Sequence, residues 1–136
     1  NFELKVREGK MLEHAVIYGN LYGTPREFVE DQVVQDRIVI MTIDVQGTKQ
    51  IMESWGKERP LLSIFILPPS VKVLRARLAG RNTENPEEIE KRIEIAQDEI
   101  KAAKLYNHTV INQNLDQAVL DVEEIILNDS KQRRKK

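Results

Sequence analysis

The sequence predicts an α/β fold in which a parallel sheet is flanked by helices, because two observations agree. Residues 38–43 and 61–67 are continuous apolar runs rich in β-branched side chains, which is typical of strands covered on both faces. A segment with helical spacing follows each run, and strands that alternate with helices favour crossover connections between parallel strands. At 136 residues the chain suits one domain and can bury a core.

Composition narrows the possible function classes. The chain has no cysteine, which excludes disulfides, thiol catalysis and thiolate zinc sites. His14 and His108 stand far apart without a ligand pattern, so we expect no metal site on this chain. The net charge of -1 argues against nucleic acid as a partner. No apolar run reaches membrane-spanning length and the first residues lack a signal-peptide pattern, so we expect no membrane partner and a cytoplasmic location.

A hairpin is predicted near the start of the chain. Residues 11–17 alternate as a strand, which places Glu13 among small and apolar side chains, although an exposed strand charge is the simpler interpretation of Glu13 alone. Gly19-Asn20 predicts a tight turn into a second strand that carries Tyr22. Thr24 has the sequence context of a helix cap, since Pro25 and Glu27 follow it as in many helix starts. The helix should run to about residue 35.

Asp44 ends the predicted strand 38–44 and precedes a Gln-Gly turn and a helix around residues 48–54. Ligands in open α/β sheets sit at the carboxyl edge of the strands, where Asp44 would lie. Aspartate is also among the preferred helix caps. Position alone leaves both interpretations open and favours the cap.

The rest of the chain predicts further strands and helices in alternation. Ser70 and Asn85 are expected to cap helices after the strand 61–67, and a short strand is expected at 108–111. A final amphipathic helix is predicted from the spacing of four apolar residues, Leu115, Val119, Val122 and Ile126. The basic residues 131–136 are expected to form a solvated, disordered tail.

The order and separation of the motifs resemble guanylate kinase, the P-loop enzyme family that phosphorylates GMP from ATP. The matching stretches are MLEHAVIYGNLYGT at 11–24, IDVQG at 43–47, SIFILPPS at 63–70, RLAGRNTE at 77–84, the helix that holds Arg92, and VINQNLDQA at 110–118. The resemblance covers nearly the whole chain before the tail. It implies a P-loop NTPase-like fold with a small GMP-binding subdomain and a helical lid.

The resemblance implies substrate-binding roles for residues of the hairpin and the following strand. Glu13 matches the carboxylate that reads guanine, whose N1–H and exocyclic amine are two donors that one carboxylate accepts. Thr24 matches a hydroxyl that contacts the base, and Tyr22 matches a phenol that bonds the GMP phosphate. Asp44 matches an acid of the same pocket, and the four residues together overturn the preference for a cap in favour of a binding role.

The resemblance also implies roles for residues later in the chain. Arg77, Arg81 and Arg92 match catalytic lid arginines that stabilise charge on the transferring phosphoryl group. Asn112 falls where the family approaches the adenine of ATP. The implied domains are 1–35 for GMP binding, 36–79 with 106–130 for the core, 80–105 for the lid and 131–136 for the basic tail.

The phosphate-binding part of the family pattern is not found in this sequence. No G-x-x-x-x-G-K-[ST] motif occurs, and residues 1–9 have the spacing of the tail of a helix that Gly9 ends. We therefore expect the chain to be a fragment that is inactive by itself. Its implied cofactor is ATP with Mg²⁺, the ion being held by ATP and by segments outside these residues.

Four departures from the family pattern keep a second function open. Thr42 replaces an acid that faces the metal, Asn82 replaces a hinge glycine, and Gln113 and Asn114 replace acids of a turn. The alternative is a catalytically silent guanylate-kinase-like module that binds phosphorylated peptides. Retention of both pocket acids and the lid arginines favours the kinase, with GMP or dGMP and ATP as partners and an undetermined oligomeric state.

Overall fold

The computed structural model describes residues 1–17, 19–56, 59–80 and 85–134, which fall into two compact units, Asn1–Leu61 and Leu62–Lys136. The first unit contains helices α1 (Phe2–Arg7), α2 (Arg26–Val34) and α3 (Val45–Ser54) and strands β1 (Met11–Ile17) and β2 (Asn20–Pro25). The second unit contains strands β3 (Ile64–Leu67) and β4 (His108–Ile111), helices α4 (Val71–Gly80), α5 (Pro86–Lys101) and α6 (Leu115–Arg134), and a 3₁₀ turn (Ala102–Leu105).

The predicted hairpin is present, with β1 and β2 antiparallel. Ile17 pairs with Asn20, so Asn20 belongs to β2 and the predicted turn pair is wrong by one residue. Gly19 supplies the turn with a φ of +79°, a region that favours glycine, and position 18 lies outside the described residues. The pairing register shifts between Met11 and Glu13, as at a β-bulge, and such bulges re-aim side chains.

The N-caps of the two helices that flank the hairpin are Asn1 and Pro25, and the second cap differs from the sequence expectation. Asn1 caps α1, because its side chain accepts from the Glu3 amide at 2.9 Å. Pro25 is the N-cap of α2 and provides no side-chain cap, so Thr24 is not a helix cap. The Thr24 hydroxyl makes a different bond, described below.

The predicted strand 38–44 is wrong as a sheet strand within the described residues. Residues 37–44 are assigned to neither strand nor helix, because no neighbouring strand pairs with them there. Burial of both faces, which the continuous apolar run predicts, is also wrong here, since Ile38 is 58% exposed and Ile40 is 71% exposed. Val39, Met41 and Ile43 lie against the core cluster of the unit, whose buried members are Leu12, Val29, Ile51 and Trp55.

The second unit contains one parallel strand pair within the described residues, in agreement with the parallel sheet that the sequence predicts. Ile64 pairs with His108 and Leu67 with Ile111 in the parallel ladder of β3 and β4. The strand β3 is shorter than the predicted 61–67, since its pairing begins at Ile64. Just before it, the buried Ser63 fixes the register: its amide donates to Oδ1 of Asn107 at 2.9 Å, and the Asn107 amide donates to the Ser63 hydroxyl at 2.9 Å.

Helices α4 and α5 begin where the capping residues predict. The Ser70 hydroxyl accepts from the Val73 amide at 3.1 Å, and Asn85 accepts from the Glu88 amide at 2.9 Å. Leu78 of α4 and Ile93 of α5 are buried in this unit.

The predicted apolar stripe of the last helix is partly wrong. Leu115 is 69% exposed and Val119 is 55% exposed, whereas Ala118 is buried and Val122 and Ile125 are half-buried. The disordered tail is also wrong for residues 131–134, which continue α6 and pair Arg133 with Asp129 at 2.7 Å. A search of the described helices finds none that is both long and apolar enough to cross a membrane.

Candidate functional site

Two carboxylates of the first unit meet at Gly47, in the first turn of α3. A Cβ atom built on Gly47 would stand 3.2 Å from Oδ1 of Asp44 and 3.2 Å from Oε2 of Glu13. The two oxygens therefore lie no farther apart than twice that distance. A methyl group there would be in tight contact with both oxygens, so each carboxylate would have to move by a few tenths of an ångström. The structure thus brings together the two acids that the sequence separates by thirty residues.

Glu13 is held in place by a hydrogen bond across the hairpin. It is 6% exposed, and its Oε1 accepts from the Thr24 hydroxyl at 2.8 Å. The two residues are register partners in β1 and β2, so their side chains project from the same face of the hairpin. A buried carboxylate must be hydrogen-bonded to be tolerated, and Thr24 supplies one such bond.

Asp44 caps α3, as its sequence position favours. Its Oδ1 accepts from the Gly47 amide at 2.8 Å, and its backbone conformation is extended, as in many N-caps. The residue is exposed, and a carboxylate has a second oxygen with which to accept. Capping therefore occupies one oxygen of Asp44 and leaves the binding interpretation compatible with the structure.

Tyr22 lies on the same face of the hairpin as Thr24, because residues two apart on a strand share a face. Its side chain is 51% exposed, so its phenol can meet a ligand from solvent. Glu13, Thr24 and Tyr22 therefore lie on one face of the hairpin, and Glu13 is the member of this set that lies near Gly47.

Sequence reasoning missed the polar residues of α3 that bond to β1. The side chains of Gln50 and Ser54 make hydrogen bonds to the backbone of His14 and Leu12, on either side of Glu13. Their four-residue spacing places them on one face of a helix, which is the signal the sequence contains. The spacing does not predict that this face of α3 packs against the edge of β1, because that is a tertiary contact.

The second unit holds the remaining candidate residues. Arg77 is exposed on α4, and its Nη2 donates to the backbone oxygen of Asn112 at 3.1 Å, so the structure brings these two together. Arg92 is exposed on α5 and lies off the face that buries Ile93. Arg81 lies in the range 81–84, outside the described residues, as does the departure at Asn82.

The neighbouring Arg75 has a different partner from Arg77. It forms an ion pair with Glu90 of α5, so it joins the two helices. Within the described ranges, no group of three or more histidine, aspartate or glutamate residues could hold a metal ion.

Comparison with known proteins identifies guanylate kinases among the relatives of this chain. The sequence model of the family described as guanylate kinase matches residues 1–129. The guanylate kinase of Deinococcus radiodurans is 43% identical over 121 residues, which are 89% of this chain and 50% of that protein. The guanylate kinase of Coxiella burnetii is 42% identical over 132 residues, which are 97% of this chain and 63% of that protein.

A solved structure shows the same fold. The crystal structure of guanylate kinase from Anaplasma phagocytophilum matches with a TM-score of 0.75 and 29% identity, over 95% of this chain and 61% of that one. The predicted fold class, an α/β fold of the P-loop-like kind, is thereby confirmed. The chain spans between half and two thirds of the length of the relatives named here. None of these findings supports the peptide-binding alternative.

Proposed function

Because the chain belongs to the guanylate kinase family, we propose that it supplies the GMP-binding and lid parts of an enzyme that transfers the γ-phosphate of ATP to GMP or dGMP. The observation that carries this proposal is the convergence of Glu13 and Asp44 on Gly47, with Thr24 bonded to Glu13. The product of the reaction would be GDP or dGDP.

In this proposal Glu13 reads the guanine base. Guanine presents N1–H and an exocyclic amine along one edge, and a carboxylate accepts from both. Adenine presents an acceptor at N1, which would face the carboxylate without a proton between them. Burial strengthens this discrimination, because a carboxylate left unpaired in a buried position costs more than one in water. Thr24 and Asp44 would contact the same nucleotide, and the phenol of Tyr22 would donate to its phosphate.

The arginines would bind the phosphates of ATP and GMP and stabilise their negative charge. Arg77, Arg81 and Arg92 are assigned to charge stabilisation on the transferring group, and Asn112 to the adenine side of ATP. Phosphoryl transfer needs positioning and charge neutralisation and no covalent intermediate, which fits guanidinium groups that are exposed on helices. Residues 80–105 would form the lid, 1–35 the GMP subdomain, and 36–79 with 106–130 the core.

ATP would arrive with Mg²⁺ bound to its phosphates. Mg²⁺ with a nucleotide is usually held by the phosphates, by waters and by one or two carboxylates, and we propose that ATP and segments outside these residues hold it. Thr42 is in keeping with that proposal, since its hydroxyl replaces an acid of the family pattern. We infer a cytoplasmic location from the intracellular nucleotides that serve as substrates.

Titration calorimetry of the chain with GMP and AMP tests the proposal. GMP should bind at least about tenfold more tightly than AMP, because two charge-assisted hydrogen bonds separate them. Glu13→Gln should remove most of that preference, since an amide replaces one acceptor by a donor. Glu27→Gln is the matched control, as Glu27 is exposed on α2. Equal affinities of the unchanged chain for GMP and AMP would refute the proposal.

A chimera tests the transfer step itself. The matching region of the Coxiella burnetii guanylate kinase would be replaced by this chain, and GMP-dependent formation of ADP from ATP would be measured. The chimera should phosphorylate GMP, and Arg92→Ala should lower its turnover number more than its affinity for GMP. A folded chimera that binds GMP and lacks activity would restrict the proposal to nucleotide binding.

A further inference from the structure

One edge of β1 is bonded to side chains of a helix in place of a neighbouring strand. The amide of His14 donates to Oε1 of Gln50 at 2.9 Å, and Nε2 of Gln50 donates to the carbonyl oxygen of His14 at 3.1 Å. The carboxamide of Gln50 thus satisfies both backbone groups of one residue. Strand pairs make the same double exchange in an antiparallel ladder.

A second bond repeats this contact two residues earlier on the strand. The Ser54 hydroxyl donates to the carbonyl oxygen of Leu12 at 2.8 Å. Residues two apart on a strand rise about 6.6 Å and residues four apart on a helix rise about 6 Å, so the two spacings match. The order is reversed, since Gln50 meets His14 and Ser54 meets Leu12, so α3 runs antiparallel to β1 along its edge.

Glu13 is the residue between the two bonded positions. Its backbone is therefore fixed on both sides by α3, while its carboxylate is fixed by Thr24 and bounded by Gly47. The pairing register with β2 shifts between Met11 and Glu13, so α3 bonds to β1 where the strand ladder is irregular. The same helix also carries Asp44 at its N-terminus, so one rigid element sets both acids.

We propose that Gln50, assisted by Ser54, is a positioning residue that sets the purine selectivity of the nucleotide site by holding Glu13 in register with Gly47. This inference rests on the proposed function for its ligand and on the contacts of α3 with β1 for its mechanism. Gln50 touches the backbone of His14 and acts on the nucleotide through Glu13 alone. Its loss should therefore change which purine is preferred more than it changes stability.

The decisive variant is Gln50→Met, which keeps the length and packing of the side chain and removes both hydrogen bonds. Gln35→Met is the matched control, because Gln35 is exposed at the end of α2. The ligands are GMP and IMP, which differ by the exocyclic amine from which Glu13 would accept a hydrogen bond. We expect the ratio of their affinities to fall about fivefold or more in Gln50→Met and to stay unchanged in Gln35→Met.

A ligand-free measurement reports the position of Glu13 directly. In NMR spectra of the unchanged chain, nuclear Overhauser contacts should join the γ-methylene of Glu13 to the α-protons of Gly47. These contacts should weaken in Gln50→Met and persist in Gln35→Met. If Gln50→Met does not fold, Ser54→Ala carries the same two measurements, with a smaller fall in the ratio expected because one of the three bonds is lost.

The outcomes separate this inference from the proposed function. Intact contacts in a folded Gln50→Met chain would overturn it, and so would lost contacts with an unchanged affinity ratio. If the unchanged chain binds GMP and IMP equally, the proposed guanine recognition by Glu13 fails, and so does the selectivity role. The NMR contacts then decide whether Gln50 positions Glu13. A lower affinity for both ligands by the same factor would indicate a merely structural role for Gln50 and would overturn the proposal.

Discussion

The two units hold their candidate residues in different ways. In Asn1–Leu61, Glu13 is buried, bonded to Thr24 and fixed on both sides by α3. In Leu62–Lys136, Arg77 and Arg92 lie exposed on helices. The difference agrees with the two tasks that we propose for them, since reading a base requires fixed geometry and binding a phosphate requires a positive charge that solvent ligands can reach. We therefore expect changes in the first unit to alter selectivity and changes in the second to alter phosphate affinity.

The largest effect is expected in the core that supports α3. Ile51 is 5% exposed and packs with Leu12 and Trp55, so Ile51→Ala should lower the free energy of unfolding by about 3 kcal/mol. Urea unfolding followed by the fluorescence of Trp55, the one tryptophan in the sequence, measures it. Ile40→Ala should cost less than about 1 kcal/mol, because Ile40 is 71% exposed. Equal losses would mean that the packing of α3 does not hold this unit together.

The next largest effect is expected on GMP affinity, in a variant whose stability should change little. Gly47→Ala should weaken GMP binding about tenfold, because its methyl group meets both carboxylates. Its free energy of unfolding should change by less than about 1 kcal/mol, since alanine favours the helix and offsets the crowding. Calorimetry and urea unfolding measure the two quantities. Gly80→Ala is the control, because a Cβ there meets no atom within 4 Å among the described residues, and it should leave GMP binding unchanged.

A smaller effect tests the second unit. Arg77→Ala should lower the affinity for ATP about fivefold, and raised salt should reduce the difference, because the lost interaction is between charges. Arg75→Ala should change ATP affinity less than twofold, since Arg75 pairs with Glu90. Calorimetry with ATP at two salt concentrations measures both. Equal losses in the two variants would remove the distinction between a phosphate-binding arginine and a structural one.

The smallest effect concerns a surface ion pair of the first unit. The guanidinium carbon of Arg59 lies 4.7 Å from the ring centre of Trp55, and its Nη1 lies 2.9 Å from Oε1 of Glu30. The hydrogen bond from Arg59 lowers the pKa of Glu30 below its usual 4.5. The pair therefore stabilises the folded state above pH 4.5, and the stabilisation is lost as the pH falls through the lowered pKa.

Glu30→Gln checks this sign. Its urea midpoint should lie below that of the unchanged chain at pH 7, and the gap should close in acid. Asp31→Asn, an exposed change on the same helix, should show no such gap. A gap that widens in acid would give the opposite sign and contradict the assignment.

Local signals predicted the parts of the fold that depend on local chemistry. Ser70 and Asn85 cap α4 and α5 as expected, because a capping side chain bonds an amide three residues away. The cap at Asp44 was favoured by position for the same reason. The parallel direction of β3 and β4 agrees with the parallel sheet that the alternation of strands and helices predicts, but that alternation did not predict which strands pair.

Features that depend on distant partners were not predictable in this way. Thr24 has the sequence of a helix cap, yet its hydroxyl bonds Glu13 across the hairpin. The stripe of α6 was misassigned because Leu115 and Val119 fit helical spacing as well as Ala118 and Ile125 do. Which stripe is buried depends on the element opposite, and spacing contains no information about that element.

The site was predicted unevenly for the same reason. The resemblance to the family identified Glu13 and Asp44, but it gave no role to Gln50 or Ser54, whose bonds go to the backbone of β1. Every residue carries the same backbone groups. A side chain that bonds to the backbone therefore has no partner side chain that could be identified from the sequence.

Amide NMR spectra of the chain with added GMP or AMP decide whether the acids at Gly47 form a pocket selective for guanine. We predict that GMP shifts the amide signals of Glu13, Thr24 and Gly47 at concentrations at which AMP leaves them in place. Equal shifts with both nucleotides, or GMP shifts that spare all three residues, would contradict this selectivity.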